Sequence, residues 1–309
     1  MNLIARKAEG RRQAVGIDVG GTNLRAALID EDGRISTPIY ERVITDRQGF
    51  AQRIETIVGL LDQSSSGPVG IGLPGRVDVQ RNRAVSAGYL DIAELPIPEL
   101  LGGEMGRVVR LDNDAAMALR AEMAIGAAQG FSNVVLLTIG TGIGGACAMG
   151  GKPVQGHSFA GQLGHITVHA TGGALCKCGR YGCVETTSSG SALGRLVREA
   201  GLPEGMRAAE LLQRGRAGDA LALTVLRQWA GPLRCAIETL IAAIDPDLIV
   251  LGGGLGAEAF AALDYAPFNS EWFQRPIRAA ILGDDAGMIG AGLCALAFAA
   301  TQVGEAAAC

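Results

Sequence analysis

Short apolar runs broken by glycine or polar residues dominate the first part of the chain, a pattern typical of strands alternating with helices. Residues 13–18 and 23–30 predict two strands joined by the turn Val19-Gly20-Gly21-Thr22. Apolar residues three and four positions apart predict a helix over 49–63. The other elements predicted here are a strand over 34–44, buried strands over 68–73 and 107–111, and a helix over 115–125.

The pattern then restarts at residue 133. A strand over 133–139 enters the glycine-rich turn 140–145, and a second strand follows over 146–149. Strand, glycine turn and strand therefore occur twice, which predicts two related domains whose glycine turns converge on one cleft. The remaining predicted elements are a long helix over 219–244, a buried strand over 248–251 followed by Gly252-Gly253-Gly254, and a last apolar helix over 288–300.

Composition narrows the class of protein. Hydrophobic residues make up 48% of the 309 positions and charged residues only 19%, which is enough for a core without disulfides. A net charge of −4 argues against nucleic acid as a partner. Because the start of the chain and its longest apolar runs resemble neither a signal peptide nor a membrane span, we expect a cytoplasmic protein without a membrane partner.

Glycine is unusually frequent, at 46 residues, and it concentrates in turns suited to phosphate. Consecutive glycines let backbone N–H groups point at an anion, and a neighbouring threonine hydroxyl adds a donor. Neither turn has the lysine of a Walker A loop or the dinucleotide-binding pattern. Asp18, at the mouth of the first turn, is suited to hold hydrated Mg²⁺. The alternative is that these glycines only make tight hairpins.

Three cysteines crowd into eight residues, at Cys176, Cys178 and Cys183. Thiolates at this spacing, with an imidazole from upstream, fit a closed tetrahedral zinc site with a structural role. The alternative is three buried reduced thiols. The histidines that could supply the fourth ligand are His157, His165 and His169.

A candidate general base lies between a predicted strand and helix. Asp114 follows the strand over 107–111, where side chains project from a strand end. It could accept a proton from a hydroxyl that attacks a γ-phosphoryl group. Asp112 is a competing carboxylate, and Asp114 could instead serve only as a helix N-cap.

These motifs together resemble the ROK family of sugar kinases and sugar-responsive repressors, over residues 13 to about 300. The motifs that carry the resemblance are Asp18-x-Gly-Gly-Thr22, Gly72-Leu-Pro-Gly-Arg-Val-Asp78, Asn113-Asp-Ala115, Gly140-Thr-Gly-Ile-Gly144, Gly164-His165, Cys176-x-Cys-Gly-x-x-Gly-Cys-x-Glu185 and the segment Pro246 to Gly254.

The resemblance implies a fold and a domain organisation. The fold is α/β, a two-domain actin-like ATPase of the hexokinase type, related to ribonuclease H. Residues 1–114 form a small N-terminal domain, rejoined by a C-terminal helix over 287–309. Residues 115–286 form a larger domain that carries the zinc loop. Many relatives are homo-oligomers, so a dimer or tetramer is expected.

The resemblance also implies a role for each matching residue. Asp114 is the catalytic base, and Asp18 holds Mg²⁺ through water. His165 completes the zinc site of Cys176, Cys178 and Cys183, and it also touches the sugar. The other implied sugar contacts are Gly75, Asn113, Gln162 and Glu185; the implied nucleotide contacts are Gly20, Gly21, Thr22, Asn23, Gly140, Thr141 and Gly142 at the phosphates, and Gly252, Gly253 and Gly254 at the adenosine.

Two departures from the family pattern concern the sugar. Gln162 stands where the family's kinases commonly have a glutamate. A glutamate carboxylate only accepts hydrogen bonds, whereas the glutamine amide both donates and accepts them. Tyr89-Leu90 stands where many members have Asn-Leu. Because family members that phosphorylate N-acetylmannosamine can also lack that glutamate, a 2-acetamido or C2-variant hexose is favoured over plain glucose.

The predicted function is ATP-dependent phosphorylation of a hexose or hexose derivative at the C6 hydroxyl. One alternative is a kinase for an unusual amino sugar or a cyclitol. Another is a non-catalytic sugar sensor. A DNA-binding repressor is disfavoured, since only about a dozen residues precede the first strand and a recognition module needs on the order of 60.

Overall fold

The protein is described by a computed structural model that covers residues 11–268 and 270–306. The start of the chain, residues 1–10, and the end of the predicted C-terminal helix, residues 307–309, lie outside the described residues. The described chain divides into two compact units. The first runs to Ala121 and resumes at Asp285, and the second runs from Glu122 to Asp284.

The first unit holds a five-stranded sheet in the order β3-β2-β1-β4-β7. Its first three strands are antiparallel neighbours, and β4 and β7 extend the sheet in parallel to β1. The strands are β1 Gln13–Val19, β2 Asn23–Asp30, β3 Ile35–Arg42, β4 Val69–Leu73, the small hairpin β5 Arg76–Asp78 and β6 Arg83–Ser86, and β7 Val109–Asn113; the helices are α1 Arg47–Leu61, α2 Ile97–Leu100, α3 Asp114–Ile125 and, from the end of the chain, α9 Ala286–Ala306.

The second unit repeats this arrangement. Its sheet has the order β10-β9-β8-β11-β12, with two antiparallel pairs followed by two parallel pairs. The strands are β8 Val134–Ile139, β9 Ile143–Met149, β10 Lys152–Pro153, β11 Leu248–Gly252 and β12 Ile277–Ala279; the helices are α4 Glu185–Ser188, α5 Gly190–Glu199, α6 Ala208–Arg216, α7 Ala220–Ile244 and α8 Gly256–Ala262. The repeat predicted from the two glycine turns is therefore present in the fold.

Each unit has its own apolar core. In the first, Phe50 and Ile54 of α1 are fully buried together with the β1 and β4 side chains. In the second, α7 contributes a continuous apolar face, and the fully buried Trp229 lies at its centre. The Trp229 indole N–H donates to the Ser189 carbonyl at 3.1 Å, so the polar atom of this core residue is satisfied. Among the described residues no helix is both long enough and apolar enough to span a membrane.

Helix α9 returns to the first unit and packs unusually close to its sheet. A Cβ added at Gly16 of β1 would lie 2.1 Å from the Met288 carbonyl oxygen, and one at Gly70 of β4 would lie 1.9 Å from the Ala291 carbonyl oxygen. No side chain fits in such a gap, so glycine in the strands sets the distance of the helix from the sheet. Part of the glycine excess therefore serves packing rather than ligand binding.

We expect Gly70→Ala to destabilise the protein by about 2–3 kcal/mol, because the added methyl overpacks the contact between β4 and α9. The matched control is Gly59→Ala, at an exposed position of α1 where a Cβ meets no atom within 4 Å. That change should stabilise by about 0.5 kcal/mol, since alanine is the better helix former. Urea denaturation measures both. Equal stability of the two variants would contradict the close packing of α9.

Candidate active site

Two aspartates stand at the carboxyl ends of parallel strands in the first unit. Asp18 lies near the end of β1, and Asp114 directly follows β7. Gly72 of β4 lies between these strands, and a Cβ there would be 3.3 Å from the Asp114 Cα and 3.5 Å from the Asp18 Oδ1. Because Gly72 has no side chain, both acidic residues can approach the same point of the sheet edge.

Asp112, the competing carboxylate, is committed to other bonds. It is buried, and its Oδ2 accepts from Arg120 Nη2 at 3.1 Å while its Oδ1 accepts from the Asn113 N–H at 2.8 Å. The guanidinium of Arg120 therefore balances the negative charge of Asp112. No local sequence pattern indicates this role of Arg120, because the ion pair joins residues eight positions apart across the junction of β7 and α3.

The N-cap of α3 is Asn113 rather than Asp114. The Asn113 Oδ1 accepts from the N–H groups of Ala115 at 3.0 Å and Ala116 at 3.3 Å, which is the usual N-cap geometry. Its Nδ2 donates to the Gly75 carbonyl at 3.0 Å, so the same side chain links the loop after β4 to α3. Asp114 is not needed as the cap, and its carboxylate can serve another purpose.

Asp114 has the electrostatics expected of a base. It is half-buried, and its Oδ1 accepts from the Ala115 N–H at 2.8 Å. Burial disfavours the charged form and raises the pKa of Asp114 to about 6, although hydrogen bonds from Ala115 and Asn113 oppose the shift. A carboxylate with this pKa is more basic than an exposed aspartate and is still ionised at neutral pH.

The first glycine turn is fixed at one end and open along the rest. The Gly20 N–H donates to the Asn23 carbonyl at 2.9 Å, which closes the turn, and the Tyr89 hydroxyl donates to the Gly20 carbonyl at 2.7 Å. Gly21, Thr22 and Asn23 are exposed. The Tyr89 contact was not predicted, since 69 residues separate its partners.

Asp18 is held beside this turn. It is 8% exposed, and its Oδ2 lies 3.5 Å from the Arg25 Nη1. A Cβ at Gly287, in the first turn of α9, would come within 2.5 Å of its carboxylate. Glycine at the start of α9 therefore leaves the space that the Asp18 side chain occupies.

The second glycine turn, in the second unit, is held by hydrogen bonds to its carbonyl groups. Gly140 donates to the Gly142 carbonyl at 2.9 Å, while its own carbonyl accepts from the Gly190 N–H at 2.8 Å. The Thr141 carbonyl accepts from the Ser191 hydroxyl at 2.8 Å. The first residues of α5 therefore hold the turn in place, because they donate hydrogen bonds to two of its carbonyl groups.

The third glycine segment lies at the same edge of this sheet. Gly253 has φ +78, and a Cβ there would be 2.6 Å from the carbonyl oxygen of Ile139, the last residue of β8. Leu255 donates to that carbonyl at 2.9 Å. Ile139 immediately precedes Gly140, so Gly252–Gly254 and Gly140–Gly142 are neighbours within the second unit.

Four side chains of the second unit form a cluster suited to one metal ion. The ligand atoms of His165, Cys176, Cys178 and Cys183 all lie within 4.8 Å of one another. His157 and His169, the other candidate histidines, are not members of this cluster. The structure therefore brings together the four residues that the resemblance implied.

The distances fit tetrahedral zinc. Zinc lies about 2.3 Å from a thiolate sulfur and about 2.0 Å from an imidazole nitrogen. At tetrahedral angles, two ligand sulfurs are then ~3.8 Å apart, and a sulfur and a nitrogen are ~3.6 Å apart. Cys178 Sγ and Cys183 Sγ are 3.6 Å apart, and Cys176 Sγ is 3.5 Å from His165 Nδ1. Four protein ligands leave no open position, which is typical of a structural zinc site.

Gln162 and His165 line one cavity of about 400 Å³. Phe159 and Arg180 also line the cavity. No local sequence pattern marks either of them as a functional residue. Glu185, the other implied sugar contact of this unit, uses one carboxylate oxygen to accept from the Ile143 N–H at 2.9 Å. One of its two carboxylate oxygens is thus already hydrogen-bonded to the protein backbone.

Comparison with known proteins identifies the family of the chain. The ROK family model matches residues 14–297. The chain is similar to a glucokinase of Halalkalibacterium halodurans, at 33% identity over 91% of this chain and 94% of the relative, and to an N-acetyl-D-glucosamine kinase of Citrobacter koseri, at 28% identity over 78% and 83%. It also resembles the solved structure of a ROK family glucokinase from Streptomyces griseus in complex with glucose and AMPPNP, with a TM-score of 0.76, 30% identity and coverage of 92% and 99%.

The family match spans nearly the whole chain, and the two sheets have the actin-like topology of the ROK kinase structures. The chain therefore belongs to the ROK family, as one of its sugar kinases. The predicted α/β fold class is confirmed, and the cysteine cluster is typical of the zinc site of this family.

We expect the purified protein to hold one zinc ion per chain, and Cys178→Ser to lose most of it, because removal of one thiolate opens the closed site. Cys235→Ser, at an exposed free cysteine of α7, is the matched control and should retain the full zinc content. Elemental analysis after dialysis measures both. Full zinc content in Cys178→Ser would exclude that thiolate as a ligand.

Proposed function

We propose that this protein transfers the γ-phosphoryl group of ATP to the C6 hydroxyl of a hexose or hexose derivative. The observation that carries the proposal is the set of groups at one sheet edge of the first unit. Asp114, with a pKa of about 6, stands near Asp18, while Asp112 is paired with Arg120. Of the carboxylates at this strand end, Asp114 is the one suited to accept a proton.

The role of Asp114 is to take the proton from the attacking hydroxyl. Phosphoryl transfer depends mainly on alignment and on stabilisation of charge, so the base must be well placed more than strongly basic. The Asn113 side chain supports that placement, because it caps α3 and donates to the Gly75 carbonyl. Asn113 and the backbone at Gly75 are the proposed sugar contacts of this unit.

The glycine turns supply the nucleotide contacts. We assign Gly20, Gly21, Thr22 and Asn23 to the phosphates, since most of this turn is exposed and can present N–H groups and a hydroxyl. In the second unit, Gly140, Thr141 and Gly142 are assigned to the phosphates, and Gly252–Gly254, which adjoin them, to the adenosine. The complex of the similar glucokinase with AMPPNP supports a nucleotide site on this fold.

Asp18 offers the donor chemistry that Mg²⁺ prefers, a carboxylate oxygen beside a phosphate-binding turn, so it would hold the ion through water. The ion would neutralise charge on the phosphate oxygens. In the second unit, the closed set of four zinc ligands fits a structural role. His165 belongs to that set and also lines the cavity with Gln162. Its side chain would therefore form part of the cavity wall that contacts the sugar.

For the substrate, a 2-acetamido hexose such as N-acetylmannosamine is favoured over plain glucose. The Gln162 amide can both donate and accept, as an acetamido group can, and Phe159 and Ile166 give the same cavity an apolar wall for a methyl group. The similarity to an N-acetyl-D-glucosamine kinase supports this class, whereas the similarity to glucokinases supports glucose.

A second substrate class rests on the same residues. A kinase for an unusual amino sugar or a cyclitol is supported by Gln162 and by Tyr89, whose hydroxyl donates to the Gly20 carbonyl in the first glycine turn. The expected alternative of a non-catalytic sugar sensor is not retained, because the chain is one of the family's sugar kinases. A panel of hexoses, amino sugars and cyclitols separates the substrate classes, because the true acceptor gives the highest kcat/KM.

We expect Asp114→Asn to lower kcat by at least 100-fold (about 10²–10⁴ is typical for loss of a general base), with zinc content and folding unchanged. Asp264→Asn, at an exposed carboxylate of the second unit, is the control and should retain activity. A coupled assay of ADP release measures both. Turnover near the normal rate in Asp114→Asn would remove Asp114 from the role of base.

The raised pKa of Asp114 also fixes the direction of the pH dependence. Because the base acts only when ionised, kcat/KM should fall about tenfold per pH unit below pH 6 and should level off above it. A profile from pH 4.5 to 8, with stability monitored in parallel, tests this. Activity that stays constant down to pH 5 in the folded protein would contradict a base with this pKa.

We expect Gln162→Glu to shift preference from 2-acetamido hexoses toward glucose, because a carboxylate accepts from hydroxyls and cannot donate to an acetamido carbonyl. The ratio of kcat/KM for N-acetylmannosamine and glucose should change by about tenfold, as for one buried hydrogen bond. Gln213→Glu, on helix α6, serves as control. An unchanged ratio would show that position 162 does not contact the substituent at C2.

A further inference from the structure

We propose that the zinc cluster holds the second glycine turn in its ligand-binding shape, so that zinc and nucleotide strengthen each other's binding, with Glu185 as the positioning residue. The inference rests on the proposed function, which places nucleotide phosphates at this turn. It concerns the second unit alone, and it adds a nucleotide-directed role to a metal site whose expected coupling was to the sugar.

The first step in the connection is the amide of Ile143, the residue that ends the turn and begins β9. Its N–H donates to Glu185 Oε2 at 2.9 Å. A Cβ at Gly142 would lie 2.6 Å from the same oxygen, so this carboxylate presses directly against the backbone of the turn. An ionised acceptor on a backbone N–H makes a stronger bond than a neutral one.

The other side of Ile143 is held by the segment before His165. A Cβ at Gly164 would lie 2.0 Å from the Ile143 carbonyl oxygen, so the backbone there is in direct contact with the strand. Similarly, a Cβ at Gly161 would lie 2.5 Å from the Gly145 carbonyl. The residues that lead into the histidine ligand are therefore packed on the first residues of β9.

Both contacts are adjacent to zinc ligands in sequence. Gly164 immediately precedes His165, and Glu185 is two residues after the fully buried Cys183. The two ligand-bearing segments are also bonded to each other, since the Val184 N–H donates to the Ile166 carbonyl at 2.9 Å. A metal bound by His165 and Cys183 would thus clamp the two segments that hold Ile143 from either side.

This arrangement couples the sites through a short, packed backbone. Zinc restricts the positions of residues 164 and 185, and these determine where the N–H and carbonyl of Ile143 lie. When the turn is already ordered, binding of phosphates costs less ordering entropy. By thermodynamic linkage, nucleotide must then raise the affinity for zinc by the same factor as zinc raises the affinity for nucleotide.

The test measures binding in both directions, without sugar and without turnover. Calorimetry of AMPPNP with zinc-loaded and chelated wild-type protein should give at least about fivefold tighter binding to the loaded form. Competition with a chromogenic chelator should give a zinc Kd that is lower by the same factor when AMPPNP is saturating. Circular dichroism checks that the chelated protein stays folded.

Three variants connect this coupling to Glu185. Glu185→Ala should keep zinc but bind AMPPNP at least about fivefold more weakly, and its zinc affinity should no longer depend on nucleotide. Glu185→Gln should restore most of the coupling, because its amide oxygen can still accept from the Ile143 N–H. Glu199→Ala, at an exposed glutamate of α5, should behave as wild type.

The failures can be told apart. If zinc-loaded wild-type protein binds no AMPPNP, the proposed function fails and this inference fails with it. If it binds AMPPNP with the same affinity whether loaded or chelated, the coupling alone is overturned. Should chelation unfold the protein, zinc-loaded Glu185→Ala decides: unchanged AMPPNP affinity in that variant overturns the proposal, and weakened affinity rescued by Glu185→Gln supports it.

Discussion

The close parallel pairing of β1, β4 and β7 is the constraint on which the site in the first unit depends. Asp18 and Asp114 approach one point because Gly72 lies between them without a side chain. Helix α9 packs on the same sheet and approaches the Gly16 and Gly70 backbones more closely than any side chain would allow. The approach of the two aspartates and the packing of α9 therefore both require glycine in β4, at Gly72 and at Gly70.

The second unit satisfies an analogous demand by different means. Its sheet has the same order and the same strand directions, and its glycine turns again follow the ends of the central strands. The turn at residues 140–142 is braced by α5 and by Glu185 rather than by an aspartate beside it. Glu185 is two residues after Cys183 of the metal cluster, and this proximity is the basis of the proposed coupling between zinc and nucleotide.

Local features were predictable from the sequence, and long-range contacts were not. The strand over 23–30 and the long helix ending at Ile244 match the structure, because each is fixed by its own apolar pattern and by the turns that end it. The cysteine spacing likewise indicated the ligand cluster. The pairing of Arg120 with Asp112 and the contact of Tyr89 with Gly20 could not be foreseen, since they depend on tertiary packing. Neither could the role of Asn113 as the N-cap, because neighbouring aspartates have similar capping preferences.

Phosphoryl transfer from ATP to a sugar is the activity that the site residues are proposed to perform. Its most direct test is ³¹P NMR of the zinc-loaded protein with Mg²⁺ and ATP, with hexoses, amino sugars and cyclitols added one at a time. ADP and one sugar phosphate should appear in equal amounts, with the phosphate on the C6 hydroxyl of a hexose. Release of inorganic phosphate alone, or no consumption of ATP with any acceptor that binds, would contradict phosphoryl transfer to a sugar.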